Sequence, residues 1–233
     1  MKESFRKNII KQVERIEKGK LFTFKNLNFA TQKKPNVAVV LSELAKKGLV
    51  IRAEKGTYFR PKPSLLGLSR RPLDYQEKLN YITNTLDGYI TGPYVFNQMQ
   101  LTEQVPMVIT VATPKPVRNF VKMNIRVECV KSYVNDLDSI NLYYLRLLDA
   151  IKSIREIPGT KPSDVYVRLM NFHFKKLREQ ELEEINKLAL NYPPRVRRIM
   201  IDINRDLGYQ EKSIILSDTI NSNTHFKTTF NRL

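Results

Sequence analysis

The chain has 233 residues, 42% hydrophobic and 27% charged, which is too apolar for a disordered polymer and long enough for one large domain or two modest ones. Its 40 Lys and Arg against 23 Asp and Glu leave a net charge of +17, which points to an acidic or nucleic-acid partner. No apolar run approaches the roughly 20 residues of a membrane span, and Met1-Lys2-Glu3-Ser4-Phe5 lacks the apolar core of a signal peptide. The single cysteine, Cys129, excludes an internal disulfide and suits a reducing compartment, so a cytoplasmic protein without membrane contact is expected.

The charge is concentrated at one end. Residues 1–71 carry 18 Lys and Arg against 5 acids, a net of +13, while the other 162 residues net only +4. In that basic segment Phe5, Ile9, Val13 and Ile16 fall at helical spacing and predict a helix from about Glu3 to Lys18, closed by Gly19. Phe22, Phe24, Leu27 and Phe29 predict a short segment and a brief second helix, and residues 31–35 a turn. Val37, Leu41 and Leu44 define the inner face of a third helix that Gly48 closes. Residues 49–52 and 57–60 flank Glu54-Lys55-Gly56 and predict a β-hairpin with glycine in its turn. Three helices followed by a basic hairpin is the order of a winged helix-turn-helix.

Pro63, Gly67 and Pro72 around Arg70-Arg71 mark a linker. Leu79, Ile82 and Leu86 then form one helical face, and residues 88–92 turn the chain. Two β-branched runs, Val105 to Ala112 and Ile125 to Val130, predict strands. The stripe Ile140, Tyr144, Leu147, Ile151 and Ile154 is helical, with further helices expected near residues 165–177, 181–190 and 194–207. The last 25 residues are polar and poorly patterned. The expected organisation is α+β: a winged helix over 1–63, a linker over 64–76, a mixed α/β domain rich in helices over 77–208, and a polar tail over 209–233.

A recognition helix meets base edges with its early outward residues. Asn36 suits an adenine edge, Ser42 a base or phosphate, and Lys33, Lys34 and Lys46 suit phosphates. Lys55 at the wing tip, with Arg52, Arg60 and Lys62, would reach backbone or minor groove. The competing reading is a winged helix that makes protein contacts and has a merely solvated basic face. A second patch, Arg195, Arg197 and Arg198, follows Pro193-Pro194 and is expected at a helix N-terminus, where the macrodipole disfavours cations. It reads either as solvated surface or as a contact for an acidic or nucleic-acid partner.

Catalytic chemistry finds little support. Glu128 and Lys131 are three residues apart, on opposite strand faces, where a nuclease needs them together. Cys129 has no histidine near it in sequence, and residues 88–92 lack the lysine and hydroxyl of a phosphate-binding loop. No catalytic residue, metal or cofactor is expected.

Two stretches resemble a known family. Residues 55–62, Lys-Gly-Thr-Tyr-Phe-Arg-Pro-Lys, form the first. Gly88-Tyr89-Ile90-Thr91-Gly92, with Asn97 and Leu101-Thr102-Glu103-Gln104-Val105-Pro106, forms the second. Both resemble the AbiEi-like antitoxins of bacterial abortive-infection (type IV) toxin–antitoxin pairs. The resemblance implies a winged helix that binds double-stranded DNA at repeats in its own promoter. It also implies a C-terminal domain that counteracts a nucleotidyltransferase-like toxin, without a stable complex being required. Two alternatives stand beside it: a winged-helix transcription factor whose second domain senses a ligand or dimerises, and a nuclease tethered to DNA.

Overall fold

The computed structural model describes residues 2–63 and 72–220, so most of the expected linker and the end of the expected tail lie outside the described residues. The protein is mixed α+β and divides into two compact units, Met1–Ile82 and Thr83–Leu233. No helix among the described residues is long and apolar enough to cross a membrane.

The first unit opens with α1, Lys2–Arg15, whose Ile9 and Val13 are buried. It stops three residues short of the expected end. The Ile16 N–H turns back to the Val13 carbonyl at 3.0 Å, and Gly19, at φ 85°, reverses the chain. Strand β1, Leu21–Thr23, leads into a single 3-10 turn at Phe24–Asn26, where the sequence pattern suggests a helix. The side chains of Thr23 and Asn26 explain the shortening. Asn26 Oδ1 accepts from the Thr23 N–H at 2.8 Å and Thr23 Oγ1 from the Lys25 N–H, so local bonds replace helical ones.

A second 3-10 turn, Thr31–Lys33, runs directly into α2, Lys34–Lys46. Pro35 is tolerated there because the first helical turn has no use for its missing N–H. Helix α2 buries Val37, Val40, Leu41 and Leu44 against Ile9, Val13, Phe22, Leu27, Val50 and Tyr58. Each fully buried aliphatic side chain contributes about 1.5–3 kcal/mol, so this stripe fixes which face of α2 looks outward. The hairpin follows as β2, Ile51–Glu54, and β3, Thr57–Phe59, with Gly56 at φ 81° in the turn. Its sheet has the order β1-β3-β2, antiparallel throughout.

Helix α3, Tyr75–Leu86, is capped reciprocally. The Glu77 N–H donates to Asp74 Oδ1 at 2.7 Å, and the Asp74 N–H donates to Glu77 Oε2 at 3.0 Å. The segment expected only to turn is strand β4, Tyr89–Thr91, followed by a short helix α4, Pro93–Gln98. Strands β5, Val108–Thr113, β6, Phe120–Lys122, and β7, Ile125–Lys131, complete a sheet of order β4-β5-β7-β6. Strand β5 starts three residues later than expected because Pro106 cannot donate to a ladder, and Val105 and Met107 are exposed. β7 lies parallel to β5 and antiparallel to β6, and the β6–β7 turn holds Met123 and Asn124 at φ 50° and 63°.

Helices α5, Leu142–Lys152, α6, Pro162–Phe172, α7, Glu179–Ala189, and α8, Pro194–Asp206, follow, with α5, α7 and α8 packed on one another. The expected helix over 165–177 is divided, since residues 174–176 form a separate 3-10 turn after His173. Residues 210–217, expected as polar tail, are a 3-10 turn and a one-turn helix α9, Ile214–Ser217. Leu216 is fully buried there, an anchor too isolated to show as a periodic pattern.

Candidate nucleic-acid interface

The burial of one α2 stripe turns the opposite stripe to solvent. Lys33, Lys34, Asn36, Ser42 and Lys46 are all exposed, so the structure brings five of the sequence-derived DNA residues onto one helix and its entry turn. Lys33 Nζ lies 4.9 Å from the Phe5 ring centroid and Lys34 Nζ 5.7 Å from that of Phe24, so aromatic faces support both ammonium groups while leaving them exposed. Lys55 and Arg52 are exposed on the hairpin, with Lys55 next to Gly56 in the turn; the Arg52 Nε donates to the Glu54 carbonyl at 3.3 Å.

Arg60 and Lys62 are differently employed. The Arg60 guanidinium donates to the carbonyls of Glu14 at 2.5 Å and Ile16 at 2.7 Å, and the Arg60 carbonyl accepts from the Gly19 N–H at 2.7 Å. The last carbonyls of α1 would otherwise lack partners, so Arg60 ties the end of the hairpin to the end of that helix. Lys62 Nζ is paired with Glu77 Oε1 at 2.8 Å. Both cations therefore serve the frame of the first unit.

Sequence reasoning missed Arg6. It lies on α1, thirty-seven positions before its partner, and its Nη2 reaches Glu43 Oε2 on α2 at 2.6 Å. Glu43 is the sole acid of α2, and this pair neutralises it. A pattern search along one helix cannot show a contact that only the packing of two helices creates.

In the second unit, α8 begins at Pro194, as the sequence indicates, with the three arginines in its first turns. Two are half-buried and bonded within the unit: Arg195 Nη2 donates to the Lys152 carbonyl, and Arg197 Nη1 to the Thr219 carbonyl at 3.2 Å. Only Arg198 is exposed. Carbonyl oxygens of neighbouring segments offset the unfavourable helix dipole.

The sequence gives no hint of the buried hub around Asp149. Its Oδ2 accepts from Tyr89 Oη at 2.8 Å and Thr91 Oγ1 at 2.7 Å, and its Oδ1 from Tyr192 Oη at 3.1 Å. Burial pushes the Asp149 carboxyl above its usual range, opposed by these hydroxyls and by Lys152. A cleft of about 230 Å³ opens beside it, lined by Gly92, Phe96, Thr110, Lys152 and Glu156 among others. Gly92 has φ 71°, and a Cβ there would meet Thr110 Oγ1 at 2.7 Å, so only glycine fits.

Among the described residues, no group of three or more His, Cys, Asp and Glu side chains is placed to hold a metal. Cys129 is partly buried, and burial raises its pKa, opposite to what a nucleophilic thiolate requires.

No family model matches the chain, and neither does any curated protein. The crystal structure of the RV2827C protein from Mycobacterium tuberculosis is similar over 95% of this chain and 83% of that one, at 14% identity and a TM-score of 0.42. At that level the likeness carries no argument about function.

Proposed function

We propose that the first unit is a winged helix that binds duplex DNA, and that the protein is an AbiEi-like antitoxin. It represses its own operon and counteracts a nucleotidyltransferase-like toxin encoded beside it. The observation that carries the DNA reading is the exposed face of α2, where Lys33, Lys34, Asn36, Ser42 and Lys46 point away from the core and Arg6 neutralises the only acid. The order helix, strand, turn, helix, hairpin supports it, because such a frame offers one helix to a major groove and one basic loop to the flanking backbone. The antitoxin part rests on the sequence resemblance.

Fluorescence anisotropy with DNA from upstream of the reading frame tests the first part. Neutralising about six phosphates gives a log–log salt slope near −5. An affinity independent of salt, or none at all, refutes it. Co-expression with the neighbouring toxin tests the second part, and failure of the full, folded chain to restore growth refutes it. The cleft beside Asp149 favours one other reading, a transcription factor whose second unit senses a small ligand.

A further inference from the structure

Helix α2 aims one apolar side chain straight away from the core. With Val37, Val40, Leu41 and Leu44 buried and about 100° of rotation per residue, positions 35, 39, 42 and 46 lie opposite them. Three of these are Pro35, Ser42 and Lys46, which water tolerates. The fourth is Val39, 57% exposed. A single exposed valine is ordinary on a protein surface. Its surroundings are not. Asn36 lies one turn before it and Ser42 one turn after. Lys33, Lys34, Lys46 and Lys47 surround them, all exposed. The centre of a cation-rimmed face is thus a pair of methyl groups between an amide and a hydroxyl.

We propose that Val39 reads the 5-methyl group of a thymine in the major groove, next to the base pair that Asn36 contacts. This rests on the DNA-binding reading above. The thymine methyl is the apolar group that the major groove presents, and it packs against apolar side chains. Three residues of helix advance about 4.5 Å, close to the roughly 3.4 Å between stacked base pairs. Asn36 and Val39 therefore address successive steps of one strand or its complement. The lysines supply mainly phosphate attraction; Val39 supplies a preference for a methyl-bearing over a methyl-free pyrimidine edge, which an ammonium group does not sense. Ser42, a turn further on, is left to a phosphate or a third base.

The test uses the full chain and the upstream promoter fragment, synthesised once with thymine and once with uracil, which pairs identically and lacks only the methyl group. Anisotropy gives the thymine-to-uracil affinity ratio for the wild type and for Val39→Ala. The wild-type ratio is expected to exceed that of the variant by about fourfold, the effect of one buried methyl. Contributions from other thymines or from DNA shape enter both ratios and cancel. Equal ratios overturn the proposal while leaving DNA binding intact. Absence of binding to either fragment by wild type overturns the DNA reading and this proposal with it. Val39 is more than half exposed and lies outside the buried stripe of α2, so melting of Val39→Ala is expected to stay close to that of the wild type, and such a melt makes equal ratios decisive.

Discussion

Arg60 and Lys55 are both basic residues of one hairpin, and the structure gives them opposite jobs. Replacing Arg60 with Met keeps the bulk of the side chain and deletes two charge-assisted bonds to the carbonyls of Glu14 and Ile16. Such bonds are worth about 1.5–3 kcal/mol each when buried. One of these is exposed and the other only partly buried, so the low end applies and water replaces part of the loss. About 2 kcal/mol in total is expected. For a unit of this size that lowers the melting temperature by roughly 8–16 °C. Lys55→Ala removes an exposed side chain with no such bonds and should leave melting nearly unchanged, within about 0.5 kcal/mol. On DNA the order reverses. Measured well below the melting transition, Lys55→Ala should flatten the salt slope by about 0.9, one phosphate contact, whereas Arg60→Met leaves the slope alone. Calorimetry and salt-dependent anisotropy on the same preparations decide it. A flattened slope with normal melting for Arg60→Met would show that the guanidinium faces phosphate and that its carbonyl bonds are incidental.

Asp149→Ala removes the shared acceptor of three buried hydroxyls, of which Tyr192 keeps a longer bond of 3.4 Å to the Leu145 carbonyl, and is expected to cost about 3–5 kcal/mol in urea unfolding, with Asp149→Asn clearly milder; equal costs would mean the hydroxyls find other partners. The Met99 carbonyl can only accept, so His173 Nε2 donates to it, and in the neutral ring Nδ1 accepts from Tyr143 Oη; protonation would force that second bond to reverse. Burial, aided by Lys176, lowers its pKa, so the unfolded chain takes up the proton first: this contribution is intact above about pH 6.5 and is lost as pH falls through the folded-state value. The urea midpoint should therefore drop between pH 7.5 and pH 5.5, and drop less in His173→Gln; an unchanged pH response in the variant would contradict the assignment. Among the α8 arginines, Arg198→Glu should leave urea stability unchanged and weaken rescue from the toxin, whereas Arg195→Glu should destabilise the protein, because only the former is free of carbonyl bonds that its own unit needs. Rescue by Arg198→Glu at the wild-type level would remove that patch from the antitoxic surface.

What could be read from the sequence follows the range of the forces involved. The spacing of Val37, Leu41 and Leu44 announces α2 because a helix repeats its buried face every few residues, and Gly56 announces the hairpin because few residues accept its backbone angles. The start of α8 is equally local, written in Pro193-Pro194. The brief helix expected near Phe24 failed because the polar side chains of Thr23 and Asn26 outbid a helical pattern only a few residues long. Strand β4 was missed because three consecutive buried residues, Tyr89, Ile90 and Thr91, carry no alternation to recognise. Of the candidate site, the charges were legible and their employment was not. Arg60 looks like Lys55 in the sequence, and only the meeting of residues 46 positions apart reveals that one of them belongs to the frame. Arg6 and Asp149 were invisible for the same reason.

The sheet of the second unit also carries an expectation about the order of assembly. Strand β7 sits between β5 and β6, parallel to the first and antiparallel to the second. Its partner β6 is two residues away, across a turn whose Met123 and Asn124 both have positive φ, the two-residue geometry that suits the twist of a hairpin. Hairpins of this kind close in about 1–10 μs. The pairing with β5 cannot be made by a tight turn, because a parallel neighbour requires the chain to travel back first. The β6–β7 hairpin is therefore expected to form before the β5–β7 pairing, which carries the larger loop-closure cost. Substitutions that weaken the hairpin turn should therefore slow refolding, which stopped-flow measurements would show.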